Sequence, residues 1–172
     1  MSCILYLDNN DFVVSPGPSP TSKNVLKNII TNSFSLILFY TSGDKCEYCP
    51  IVKKLFPRLV GKISNCQIGM INISQYPKIH EMSVNTTTPI KFVPLIIFYV
   101  NGTPFKEFGG NYTEEDLQQF ANEVSKLAFK AREGGMPEAD KISEHSVGKP
   151  NSKKVCYLNY EDAYTGNVKQ ER

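Results

Sequence analysis

The chain has no tryptophan and only two histidines, His80 and His145. It contains one Cys-x-x-Cys and no second one, and no paired histidines, so the common zinc-ligand patterns are not spelled out. No apolar run reaches the roughly 18 residues that a membrane-spanning helix needs. The opening "MSCILYLDNNDF" has neither a basic stretch nor a long apolar core, and no signal peptide is expected. Charge of either sign is not in excess: 19 Lys and Arg stand against 17 Asp and Glu, a net +2. That balance gives no reason to expect nucleic acid or an anionic membrane surface as a partner. Asn85, Asn101 and Asn111 match the glycosylation pattern but carry little weight without a secretory signal. Five cysteines is an odd number, and their spacing is not that of a small disulfide scaffold. A reducing compartment is the expectation. There are no internal repeats.

What is present is ordinary for a folded domain: 172 residues, 41% hydrophobic and 21% charged. Cys3 to Leu7 suits a short strand. Ser15 to Pro20 is a loop by composition. Thr21 or Ser22 then caps an expected helix with Val25, Leu26, Ile29 and Ile30 on one face. Ser35 to Tyr40 is a continuous apolar run and reads as a buried strand. After a polar loop, Cys46 and Cys49 lead into Ile51, Val52, Leu55, Leu59 and Val60 at helical spacing. Pro50 fits the first turn, and Pro57 should kink or end the helix. Gln67 to Ile73 is a further strand and Tyr76 to Val84 a short helix. Asn101-Gly102 lies between two apolar runs, the strongest hairpin signal in the chain. Thr113 and Asp116 resemble a capping box ahead of a helix bearing Leu117, Phe120, Ala121, Val124, Leu127 and Ala128. The expected order is β-α-β-α-β-α-β-β-α. Residues 1–130 form one domain in this reading, and 131–172 a polar linker and tail. The tail's apolar, tyrosine-rich "VCYLNYEDAY", Val155 to Tyr164, is expected to dock on something.

A Cys-x-x-Cys alone fits a redox pair, half of a metal site, or two core thiols. Its context narrows this. "LFYTSGDKCEYC", "INISQYPKI" and "FVPLIIFYVNGTPFKEFGG" come in one order, and together they resemble the thioredoxin family from about Ser35 to Leu127. The tail resembles those of thioredoxin-like proteins of large DNA viruses. The resemblance implies an α/β thioredoxin-like fold, a central mixed sheet flanked by helices, with a C-terminal extension. It implies a thiol–disulfide oxidoreductase with no bound cofactor and no metal. Its partners would be protein disulfide substrates and a thiol reductant or oxidant, the protein being a monomer or a dimer through its tail. Its site of action would be the cytoplasm, or the virion if the source is viral.

The same resemblance assigns roles. Cys46, exposed on the first turn of a helix, would be the nucleophile, its thiolate favoured by free backbone N–H groups and the helix dipole. Cys49, one turn on, would be the resolving thiol. Val93 and Pro94, the latter after a cis bond, would meet the substrate chain. Tyr48 joins them on the substrate-binding side; the Tyr48-Cys49 pair is similar to glutaredoxin, without the basic residues that bind glutathione. Glu47 should raise the Cys46 pKa, while Lys45 and Lys53 should lower it.

Departures from the family also count. Lys45 stands where tryptophan is usual, and the loop from Tyr40 to Cys46 is longer. The family's buried acid and its lysine partner fall at Leu38 and Met70, which removes a general base for Cys49. These departures keep a second reading open, a catalytically weak binding or structural module. Cys3, Cys66 and Cys156 read as structural or incidental, with Cys156 free to pair if the tail folds back. His80 reads as a surface or capping histidine. Asn85 to Pro89 is either a partner-selecting segment beside the cysteines or a solvated loop. Gly109 and Gly110 should bend the last strand and let a substrate approach.

Overall fold

A computed structural model describes residues 3–30, 33–42, 46–133 and 155–158. Its centre is a five-stranded sheet. β1 (Ile4–Leu7) and β4 (Phe34–Tyr40) pair in parallel with β5 (Cys66–Asn72), while β7 (Leu95–Val100) runs antiparallel to β4, and β8 (Thr103–Glu107) to β7. The order is β1-β5-β4-β7-β8. All seven residues of β4 are buried, as its unbroken apolar sequence requires of a strand covered on both faces. Fully burying each large apolar side chain there contributes about 1.5–3 kcal/mol. Phe98 and Phe108 meet Phe120 of the helix α3 (Glu114–Glu133) at 6.4 and 5.2 Å, both edge-on, which fastens that helix to the sheet.

The Asn101-Gly102 hairpin forms as expected, both residues at positive φ (50° and 80°). Thr113 Oγ1 accepts the Asp116 N–H, so half of the expected capping box exists. The Asp116 carboxylate instead accepts the N–H of Asn111, tying the loop before α3 rather than its cap. On α3 every expected apolar position is buried except Leu127, which is 45% exposed. The short helix α2 (Lys78–Ser83) also forms.

The expected helix around Val25–Ile30 does not form. Val25–Asn28 is a strand, β3, paired antiparallel with β2 (Phe12–Ser15). Val25, Leu26 and Asn28 are buried, while Ile29 and Ile30 are exposed, so the apparent helical face never existed. Two long-range hydrogen bonds fix the hairpin: Asn28 N–H to the Gly102 carbonyl (2.8 Å) and Ile29 N–H to that of Asp11 (2.9 Å). Phe12 then packs on Phe39 of β4 at 5.8 Å. Tertiary pairing has overridden a local periodicity that fits helix equally well.

Helix α3 runs to Glu133. Residues 134–154 and 159–172 of the expected tail lie outside the described residues, as does Lys45. The described part of the tail is Val155–Leu158, and its strand β9 (Cys156–Tyr157) pairs antiparallel with β6 (Phe92–Val93).

Candidate active site

The C-terminal end of β4 delivers the site. Thr41 and Ser42 leave the strand, and the chain returns at Cys46. Helix α1 (Cys49–Leu55) starts at Cys49, with Tyr48 at the position before it making no side-chain capping bond and Pro50 in its first turn; a 3₁₀ turn holding Pro57 (Phe56–Leu59) continues it. Cys46 therefore lies ahead of the helix and not on its first turn, which corrects the sequence expectation. The prolines act as expected, one at the start, the other where the helix tightens.

Nor is Cys46 exposed. It is 3% accessible and bonded to Cys156, with Cα atoms 5.7 Å apart across a sequence separation of 110. The expectation of an open sulfur is thus corrected, and the reason is specific: the cover is the returning tail. Cys156, expected to be incidental, is the partner. The Cys46 sulfur also lies 3.6 Å from the Val93 carbonyl oxygen. Val93 and Pro94 are buried, the bond between them is cis, and Val93 is the register partner of Cys156. The structure therefore brings Cys46, Val93 and Cys156 together, with Pro94 next along the chain.

Cys49 is a free, buried thiol. Burial pushes its pKa up, while the Thr41 backbone N–H, 3.5 Å from the sulfur, and the Thr41 hydroxyl, 3.6 Å from it, act the other way. Thr41 was not legible in the sequence as a site residue; its position just after a buried strand was the only signal. Two tyrosines complete the surroundings. Burial raises the pKa of Tyr40 and that of Tyr112, and the Cys49 charge adds to both shifts. Tyr112 was not anticipated. Tyr48 packs half-buried against the core, its pKa raised first by a hydrogen bond with Glu47. Glu47 is thus engaged with Tyr48, and Lys53 lies over the Tyr40 ring at 5.5 Å.

Leu38 and Met70 are register partners on β4 and β5, 0% and 2% accessible. An apolar pair fills the place where the thioredoxin resemblance puts an acid and a lysine. Other expectations fare differently. His80 is buried, not at the surface, and burial lowers its pKa. Thr86 and Thr88 are buried, and Thr87 N–H donates to the Asn24 carbonyl at 2.9 Å, so 85–89 is not a solvated loop. A Cβ on Gly110 would come within 2.9 Å of the Phe108 ring, so this glycine makes room for the chain's own core. Cys3 and Cys66 are free, the latter's pKa pushed up to about 12 by burial. Among the described residues, no three His, Cys, Asp or Glu side chains form a metal-holding cluster.

No family model matches the sequence. The chain is 56% identical over 169 residues to Uncharacterized protein 196R of Invertebrate iridescent virus 6, covering 96% of each chain. It is 34% identical over 163 residues to Uncharacterized protein 020R of Invertebrate iridescent virus 3, covering 94% of this chain and 96% of that one. Among solved structures, form II of human ERp44 superposes with a TM-score of 0.51 at 14% identity. The match covers 73% of this chain and 31% of ERp44, so the chain spans about a third of that protein's length. The J-Trx1 fragment of ERdj5 gives a TM-score of 0.48 at 17% identity, over 71% of this chain and 50% of the fragment. The likeness to ERp44 bears out the expected fold, a thioredoxin-like mixed sheet flanked by helices.

Proposed function

We propose that this chain, which belongs to the family of the iridescent virus proteins 196R and 020R, is a thiol–disulfide oxidoreductase acting on protein substrates through Cys46 and Cys49. The observation that carries the reading is the state of the cysteines. Cys46 is engaged in a disulfide beside the Val93 carbonyl, while Cys49, three residues on, is held as a free thiol by Thr41. That is how a mixed disulfide with a substrate would look, the nucleophile bonded and the resolving thiol waiting.

In this reading Cys46 attacks a substrate disulfide, and Val93 offers its backbone to the substrate chain next to Pro94. Tyr48, at the mouth of the helix, lines the approach. Cys49 then attacks Cys46 and releases the substrate. Its raised pKa slows resolution and makes it accelerate as pH rises, because attack requires the thiolate. The Thr41 N–H and hydroxyl stabilise that thiolate once formed, without supplying the base that the absent acid would be. No cofactor enters the scheme. The viral relatives support a place of action in the cytoplasm of an infected cell or in the virion.

A second reading, a catalytically weak binding or structural module, is favoured by one observation: the Leu38–Met70 pair gives Cys49 no buried base. Insulin disulfide reduction separates the two. Cys46→Ser should abolish it, and Cys49→Ser/Cys156→Ser, which lacks both thiols able to displace a substrate from Cys46, should retain partners as mixed disulfides when incubated with infected-cell extract. Activity of Cys46→Ser near wild type would remove the thiol mechanism.

A further inference from the structure

The segment Val155–Leu158 holds the site in three ways. Cys156 is bonded to Cys46; Cys156 and Tyr157 pair in register with Val93 and Phe92; and Leu158 N–H donates to the Lys91 carbonyl at 2.7 Å. Cys156 and Leu158 also pack, half-buried, against the core. The geometry points to this segment being a tethered substrate: an extended, cysteine-bearing strand of the chain itself, seated antiparallel along Lys91–Val93, masking Cys46 and displaying the kind of peptide the site accepts. The inference rests on the exchange activity proposed above and adds its regulation and its substrate class.

A disulfide that only stapled the tail to the core would need neither strand pairing beside Pro94 nor a third, free thiol at Cys49. Among the described residues this segment is attached by two register pairs and one further main-chain hydrogen bond, contacts that a competing strand can make in its place once the sulfur bond is exchanged. Main-chain pairing of this type accepts any extended chain, and side-chain fit then selects among them.

The unmasking step needs no outside oxidant or reductant. The Cys49 thiolate attacks the Cys46 sulfur, the Cys46–Cys49 bond forms, and the Cys46–Cys156 bond breaks. Cys156 leaves as a thiolate and takes up the proton that Cys49 gave up. One disulfide is present before and after.

The test uses the full chain purified without reductant, as Cys49→Ser and as Cys49→Ser/Cys156→Ser, both also carrying Cys3→Ser because that exposed free thiol would release thiopyridone itself. Each is mixed with the peptide acetyl-Val-Cys-Tyr-Leu-amide carrying 2-thiopyridine on its cysteine. Cys46 attacks the peptide sulfur, and the released thiopyridone is read by absorbance. The double variant should react at least tenfold faster than the single one, and reducing the single variant beforehand should abolish the difference. It should also prefer this peptide at least threefold over the reversed Leu-Tyr-Cys-Val. Equal rates for the two variants overturn the mask, and equal rates for the two peptides overturn the tethered substrate. A Cys46–Cys156 bond that runs as a covalent dimer on a non-reducing gel overturns the tether within one chain. If the double variant keeps a cooperative melt and a titratable Cys46 yet reacts with neither peptide, the exchange activity itself fails. Cys156→Ala in place of Cys156→Ser guards against a folding defect peculiar to serine.

Discussion

Leu38 and Met70 show how one pair of side chains sets the chemistry open to a site. Both are buried and are register partners, and neither can carry a proton. Restoring only the acid should do harm. Leu38→Asp places a charge in the core without its lysine, and by analogy with a broken buried ion pair should destabilise the fold by about 3–5 kcal/mol. Adding Met70→Lys should recover part of that loss. Urea titration of both variants measures it; an unchanged midpoint for Leu38→Asp would mean that the site is not dry.

His80 makes the opposite case, a titratable group kept neutral by burial. Its folded pKa lies below the unfolded value of about 6.5. The unfolded chain therefore binds the extra proton as pH falls, and stability is complete above about 6.5 and declines below it. Melting temperature should drop between pH 7.5 and 5.5, and the drop should be smaller in His80→Gln. A parallel drop in the variant would assign the effect to other groups. The sequence placed this histidine at the surface because α2 is short and polar; nothing local records that Ile79, His80 and Ser83 are all buried.

Among the elements, those fixed by their own composition were legible. β4 is continuous and apolar, and Asn101-Gly102 accepts the two positive φ angles that its turn demands. Gly102→Ala should cost about 1–2 kcal/mol, the penalty of a side chain in the left-handed region. Chemical denaturation reads it, and a loss under about 0.3 kcal/mol would mean that the turn relaxes freely. The β2–β3 hairpin was not legible. Its four-residue strands are too short to declare a period, and Val25, Leu26, Ile29 and Ile30 fit a helical face on paper. What decides the matter is pairing with a segment across the SPGPSP loop and anchoring at Gly102, neither of which is visible in a local window. Cys46 and Cys49 were found by their spacing. Their positions relative to α1 were off by three residues, because the helix starts only at Cys49.

For the molecule as a whole, the least legible fact is the cover on Cys46. A bond between residues 110 apart leaves no trace in spacing or periodicity. A polar stretch followed by an apolar, tyrosine-rich segment signalled that the tail would dock, but not where. The described helices include none long and apolar enough to cross a membrane.

That same bond turns the chain into a lasso. Oxidised and then denatured, the polypeptide is a closed circle from residue 46 to residue 156 with two short free arms, far more compact than a linear coil. In the chain-entropy model, tying so large a circle disfavours the unfolded ensemble by about 4.7 kcal/mol. The oxidised wild type should therefore outrun the reduced chain on a denaturing gel, whereas an oxidised Cys156→Ser chain, able to close only the tiny 46–49 ring, should comigrate with the reduced one. Electrophoretic mobility thus becomes a direct gauge of which sulfur holds Cys46 at any moment.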